Sequence, residues 1–235
     1  MTTEMERKLN CLKATSAWVM ASALCLVCPI ASAAEINQPS WRAQVIELAK
    51  ANFKHSAWGF SHSVRDYDLA KSLARQDKVE LDDDVLFAAA YLHDMAMFPD
   101  WQKPGVDHAD HAAAIVDTAL TGIGFPIEKI DRVRLAIKTH MFNREPAGPE
   151  SVYLHDADAL DWLGAIGIVR TFSMIDSNGG QPDARKMVAV LEDYIKNVPS
   201  HVISPSGKIL AIERNAEAAR YLSQLKSESS NLNSL

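Results

Sequence analysis

The chain has 235 residues, of which 48% are hydrophobic and 23% charged, and its formal net charge is −6. A length of this size suits one globular domain with a sizeable core. Because an acidic chain offers no electrostatic footprint for nucleic acid or an anionic membrane, we expect a small molecule as its partner.

The first 33 residues have the layout of a secretory signal peptide. Basic residues come first (Arg7, Lys8 and Lys13), and the apolar run "ATSAWVMASALCLVCPIA" follows them. "ASA" at positions 31–33 then offers a small-residue cleavage site before Ala34. The pattern predicts a mature chain of residues 34–235 in the periplasm or outside the cell, with no stable membrane insertion. An uncleaved membrane anchor is the alternative, since the apolar run approaches the length of a span.

The cysteines constrain the chemistry of the mature chain. Cys11, Cys25 and Cys28 all lie inside the predicted signal peptide. The mature chain therefore has no disulfide, and any metal site in it must use histidine and carboxylate ligands.

Hydrophobic spacing predicts helices along almost the whole mature chain. Apolar stripes run through residues 41–53, 64–73, 130–141, 160–172 and 188–195, and two further helices are predicted over 108–120 and 209–225. The segment "VLFAAAYLHDM" is apolar on every side, as a central core helix would be. We find no hairpin signal and no strand–helix alternation, so we predict a single all-α helical bundle over residues 34–235. The tail "SESSNLNSL" is expected to be disordered.

Several polar residues lie on these apolar faces. His93 and Asp94 interrupt the central helix, His62 shares a face with Leu69, and His140 and Asp158 also point inward. A buried charge costs several kcal/mol unless it is paired or binds a metal. Imidazoles and carboxylates together suit a divalent first-row ion such as Mn, Fe, Zn or Ni. Water bound to such an ion can act as a nucleophile near neutral pH.

The order of these residues and their flanking sequences resemble the HD superfamily of metal-dependent phosphohydrolases. "SHSVRDYDLAKSLA" resembles the first helix of that family, and "AAAYLHDM" resembles its "AALLHDI" helix. "DADALDWLGAIGIVRTF" is similar to the "DADRLDALGAIGIAR-F" segment of a stand-alone bacterial branch. The ending "SPSGKILAIERNAEAARYLSQLKSE" also resembles that branch, so the resemblance covers nearly the whole mature chain.

The resemblance implies a ligand set and further roles for nearby residues. The implied metal ligands are His62, His93, Asp94 and Asp158. Asp156 and Asp161 compete for the last position, but the family's ligand matches the second aspartate of "DAD". Arg65 is implied as a phosphate contact, and a structural ion pair with Asp66 or Asp161 is the alternative. Lys103, Arg144 and Arg170 are further candidate anion contacts, although we favour a solvated surface role for each.

His108 and His140 match positions that supply a second metal site or substrate contacts in other HD branches. Two histidines would need a bridging carboxylate to hold a second ion, and Asp94 is the candidate. The whole-chain resemblance is to a branch with one metal. We therefore favour one ion per chain, with Asp94, His108, His140 and Arg65 as the catalytic candidates.

The leading functional hypothesis is hydrolysis of a phosphate ester or phosphoanhydride by a metal-activated water. A hydro-lyase of the cyanamide hydratase type is a second possibility, because "SHSVRDY" bears some likeness to it. A di-iron oxygenase would follow if His108 and His140 bind metal. A scaffold without catalytic activity is disfavoured, since it has no need to keep four buried polar ligands.

The export hypothesis has a direct test. We expect protein recovered from the periplasm or medium of the expressing cell to begin at Ala34, because the small-residue site ends there. Intact mass spectrometry measures this. Recovery of the full-length chain from the cytosol would contradict the prediction.

Overall fold

The computed structural model describes residues 39–235, so the predicted signal peptide lies outside the described residues. Nine α-helices, numbered α1 to α9 in chain order, occur in this range: Trp41–Asn52, Phe60–Gln76, Asp83–Leu92, His108–Leu120, Ile130–Lys138, Pro149–Asp161, Gly164–Phe172, Ala184–Asn197 and Pro205–Glu228. Short 3₁₀ turns cover Met95–Met97, Ile127–Lys129 and Val198–His201. Residues 39–235 contain no β-strand, and the predicted all-α fold is confirmed.

Helix α3 is the centre of the bundle. All of its residues from Val85 to Leu92 are buried, as expected for a helix that is apolar on every side. Asp82 caps its first turn by accepting hydrogen bonds from the backbone N–H groups of Asp84 and Val85. Helices α1, α2, α5 and α6 pack around it. His93 and Asp94, which follow the last turn of α3, are therefore placed in the middle of the bundle.

The predicted helix over residues 160–172 is two helices in the structure. Helix α6 ends at Asp161, and α7 begins at Gly164, whose φ of +67° lies in the left-handed region. Glycine adopts this conformation without a steric penalty, whereas a β-carbon here would also lie 3.1 Å from Cγ of Arg214. The chain can therefore turn sharply while both helices stay packed.

The expected disorder of the C-terminal tail is wrong in part. Helix α9 continues to Glu228, and the residues after it form turns. Arg185 donates hydrogen bonds to the backbone carbonyls of Asn233 and Leu235. Arg185, about 50 residues earlier in the sequence, thus binds the tail, although the composition of the tail alone favours disorder.

Within residues 39–235, no helix combines the length and the apolar character that crossing a bilayer requires.

Asp156 joins α6 to the turn before α9. Its buried carboxylate accepts hydrogen bonds from the backbone N–H groups of Ile203, at 2.9 Å, and Ser204, at 2.6 Å. His155 contacts the same carboxylate through Nδ1, at 3.0 Å. Asp156 therefore has a structural role: it holds backbone that lies 47 residues further along the chain.

We expect Asp156→Asn to lower the free energy of unfolding by about 2 kcal/mol, because a hydrogen bond to a charged group is worth roughly 1.5–3 kcal/mol. Urea denaturation measures the change. Asp193→Asn, at an exposed position of α8, is the matched control and should change stability much less. Equal stability of the two variants would contradict the prediction.

Candidate metal centre

Three helices bring the four predicted metal ligands together. His62 lies in the first turn of α2, and Asp158 lies in α6. His93 is the C-cap residue of α3, directly after Leu92. Asp94 follows it, and its φ of −97° and ψ of 10° lie outside helical geometry. Because α3 ends at this point, the two neighbouring side chains can both face His62. All four residues are buried.

The distances between these ligand atoms suit a shared ion. His62 Nε2 lies 3.2 Å from His93 Nε2, 3.3 Å from Asp158 Oδ1 and 3.6 Å from Asp94 Oδ2. His93 Nε2 lies 3.3 Å from the same Asp94 oxygen. Neighbouring ligands of an ion with bonds of roughly 2.1 Å are about 3 Å apart. The contacts of His62 and His93 therefore have the spacing of neighbouring metal ligands.

The imidazoles are oriented through their other nitrogen. Nδ1 of His62 contacts Asp161 Oδ2 at 2.8 Å, and Nδ1 of His93 contacts the carbonyl of Ala90 at 2.8 Å. A ring that donates from Nδ1 presents the lone pair of Nε2, and this arrangement is common around metal-binding histidines. Both rings thus direct Nε2 into the cluster.

The three aspartates of "DADALD" have different surroundings. Asp158 Oδ1 contacts His62 Nε2 inside the cluster. Asp161 contacts the far side of the same ring and accepts hydrogen bonds from Arg65 at 2.8–3.2 Å. Asp156 holds the turn before α9 instead. Arg65 therefore forms the ion pair that was the alternative to a phosphate contact.

Asp66 is a member of this cluster that the sequence reasoning missed. The sequence analysis names it only as a partner of Arg65, but it lies four residues after His62 on the same face of α2. Its Oδ2 lies 3.1 Å from His62 Nε2 and 3.8 Å from His93 Nε2. The spacing of i and i+4 was the available signal. His62, Asp66, His93 and Asp158 form a group that could hold a metal ion.

The electrostatics of His62 reflect the surrounding carboxylates. Burial and the charge of Arg170 lower the pKa of this imidazole, but Asp66, Asp158 and Asp161 outweigh them and raise it to about 9. Burial also raises the pKa of Asp66 well above its usual range. Without a metal, a proton on His62 supplies part of the positive charge that the carboxylates require.

Asp94 has a different pair of neighbours on each oxygen. Oδ2 faces His62 and His93, whereas Oδ1 lies 3.4 Å from His108 Nε2 and 3.6 Å from His140 Nε2. Burial raises the pKa of Asp94, but the surrounding imidazoles outweigh it and hold that pKa well below the usual range. His93, Asp94 and His140 form a second group that could hold a metal. The same geometry also allows acid–base roles for His108 and His140.

The interpretation of Arg170 as a solvated surface residue is wrong. Its side chain is buried, and its guanidinium lies 3.7 Å from the ring centre of Trp162. Nη1 contacts Asp161 Oδ2 at 3.1 Å, and Nη2 contacts His62 Nε2 at 3.2 Å. Arg144 forms salt bridges with Asp107 and Asp110. Arg170 thus borders the metal cluster.

A cavity of about 190 Å³ opens onto the cluster. Its polar lining comes from Asp94, Asp158, His108, His140 and Arg170. The remaining lining side chains are aromatic or carry a thioether: Trp58, Met97, Met141, Phe142, Trp162, Met174 and Tyr194. The sequence pattern did not identify this wall, because its members come from separate loops and helices. The cavity combines a polar floor with apolar sides.

Comparison with known proteins identifies the fold. Residues 59–163 match the model of the HD domain, a range that contains all four predicted metal ligands. A structure from an uncultured Thermotogales bacterium, described as a predicted HD superfamily hydrolase, shares 24% identity at a TM-score of 0.56, covering 79% of this chain and 91% of that one. YpgQ of Bacillus subtilis, in a complex with ADP, shares 22% identity at a TM-score of 0.60, covering 80% of this chain and 97% of that one. An HD-superfamily hydrolase from Bacillus thuringiensis shares 24% identity at a TM-score of 0.57, covering 80% of this chain and 96% of that one. Curated proteins give no significant match.

Residues 59–163 are therefore an HD domain, and the predicted resemblance is confirmed over this range. The chain has the fold of HD-superfamily hydrolases and a buried cluster of histidines and aspartates that could hold a divalent metal.

We expect one divalent ion per chain. Asp158→Asn should lower bound manganese, because it removes an ionised ligand, whereas His140→Ala should leave the metal content unchanged. Elemental analysis of protein loaded with Mn²⁺ and freed of excess ion measures both. Two ions per chain, falling to one in His140→Ala, would show a binuclear centre instead.

Proposed function

We propose that the protein is a metal-dependent hydrolase that acts on a phosphate ester or phosphoanhydride of a small molecule. The observation that carries this proposal is the position of the His/Asp cluster. Asp94 and Asp158 belong to the cluster and also line the floor of the cavity, so a ligand bound there would lie against the metal ligands.

His62, His93, Asp94 and Asp158 would hold the ion. A bound divalent ion supplies an activated water and polarises a phosphoryl oxygen. His108 and His140 line the same cavity, with Nε2 of each directed at Asp94 Oδ1. Either ring is therefore placed to give a proton to the leaving group.

Arg170 supports the binding of a single phosphoryl group. Its buried guanidinium lines the cavity beside the cluster, where it can donate a charge-assisted hydrogen bond. Of the described residues that line the cavity, Arg170 is the only lysine or arginine, and it already contacts Asp161. A substrate with several phosphate charges would lack further cationic partners.

The cavity walls support a substrate with an apolar body. Aromatic and thioether side chains such as Trp58, Trp162 and Met174 bind flat apolar groups well. We therefore favour the ester of an aromatic or apolar alcohol within the proposed class. ADP is the phosphoanhydride for comparison, since YpgQ of Bacillus subtilis holds ADP.

A hydro-lyase is the second candidate function. The shortage of cations in the cavity and its apolar walls also suit an uncharged substrate such as a nitrile, to which water would be added. The metal cluster would serve either reaction. Phosphate release and amide formation distinguish the two.

The export of the protein remains a proposal that rests on residues 1–33. A periplasmic or extracellular location would place the enzyme among phosphate esters outside the cytosol. Such a location disfavours intracellular nucleotides as substrates.

We expect the protein loaded with Mn²⁺ to release phosphate from 1-naphthyl phosphate with a kcat/KM at least tenfold higher than from ADP, because the cavity offers apolar walls and one arginine. His140→Ala should lower kcat by about 10², the usual contribution of a positioned acid or base. Phosphate release under steady-state conditions measures both values. Asp193→Asn is the control variant, and a chelator is the control for metal dependence.

A metal-loaded protein that releases no phosphate from either compound would contradict the hydrolase proposal. Conversion of cyanamide to urea by the same sample would then favour the hydro-lyase. Faster hydrolysis of ADP than of the naphthyl ester would contradict the assignment of an apolar substrate body.

A further inference from the structure

We propose that Asp66 is an additional protein ligand of the metal, beyond His62, His93, Asp94 and Asp158. Asp66 has no exposed surface, and neither of its oxygens has a hydrogen-bond partner within residues 39–235. A buried carboxylate in that condition costs several kcal/mol unless something else compensates it.

The neighbouring arginines form no ion pair with Asp66 within residues 39–235. Arg65 and Arg170 both direct their guanidinium groups at Asp161, which therefore has its own cations. In the part of the chain that the structure describes, the ion-pair partners of Asp66 are the imidazoles of His62 and His93. In both rings the contacting atom is Nε2, which also points to the centre of the metal cluster.

The geometry places Asp66 inside the coordination sphere. Ligand atoms from Asp66, His62, His93 and Asp158 all lie within 4.8 Å of one another. The separation of 3.1 Å between Asp66 Oδ2 and His62 Nε2 is close to the roughly 3 Å expected between neighbouring ligands of one ion. Asp66 is therefore placed as well as Asp158, whose Oδ1 lies 3.3 Å from the same nitrogen.

An additional ligand changes the properties of the centre. Asp94 lies outside this group of four but contacts His62 and His93, and it would bring the protein donors to five. A six-coordinate ion would then keep one open position instead of two. Three carboxylates and two neutral imidazoles around a divalent ion leave a net charge of −1. This charge favours tight metal binding and weakens the attraction of the centre for anions, in keeping with a cavity that suits substrates of low charge.

Asp66→Asn tests the proposal, with Asp68→Asn as the matched control because Asp68 is exposed on the same helix. We expect Asp66→Asn to bind Mn²⁺ at least tenfold more weakly in competition with a chelator, since even loss of a residue that only orients a ligand costs roughly 10–100-fold. The rise in Tm on adding Mn²⁺ should be smaller than in the unchanged protein. The metal-free Tm of each variant is the baseline from which its rise is measured.

An affinity and a Tm rise equal to those of Asp68→Asn would overturn the proposal. Neither measurement uses a substrate, so the result does not depend on whether the protein is a hydrolase. A crystal structure of the unchanged protein with Mn²⁺ keeps the test valid if Asp66→Asn fails to fold. Asp66 Oδ2 should lie roughly 2.0–2.3 Å from the ion, whereas a separation above about 3 Å would exclude it as a ligand.

Discussion

The burial of several carboxylates and imidazoles in an apolar helical core is the constraint on which the rest of the structure depends. Each ionised carboxylate there needs a hydrogen bond or an opposite charge. Asp156 obtains backbone N–H groups, and Asp161 obtains two arginines. Asp66 and Asp158 face imidazole nitrogens instead. Asp66 and Asp158 thus meet at one point, the Nε2 atom of His62, and Arg170 lies 3.9 Å from Asp158 at its edge.

Asp161 connects the structural and the functional parts of this arrangement. It contacts Nδ1 of His62 while it also pairs with Arg65 and Arg170. This fixes the ring orientation and keeps one arginine at the edge of the cavity. A residue that contacts no substrate can therefore position both a metal ligand and an anion contact, and its loss would affect both.

Much of the fold follows from local pattern. The helical spacing of apolar residues, the cap at Asp82 and the apolar character of α3 act within a few residues, so the sequence predicts them. The break at Gly164 escaped prediction, because a glycine within a helical pattern does not show whether the chain turns there. The order of the C-terminal tail also escaped, since Arg185 binds it across about 50 residues.

The sequence by itself determined the helical class of the protein and, through the motif on His62, His93, Asp94 and Asp158, the place where a metal is expected. Tertiary structure alone decided which buried charges compensate one another. Spacing can show that Asp66 or Arg170 shares a helix face with a neighbour, but only packing between helices shows that Asp66 faces two imidazoles and that Arg170 is buried. Electrostatic compensation depends on distances between side chains that are remote in sequence, and local pattern carries no information about those distances.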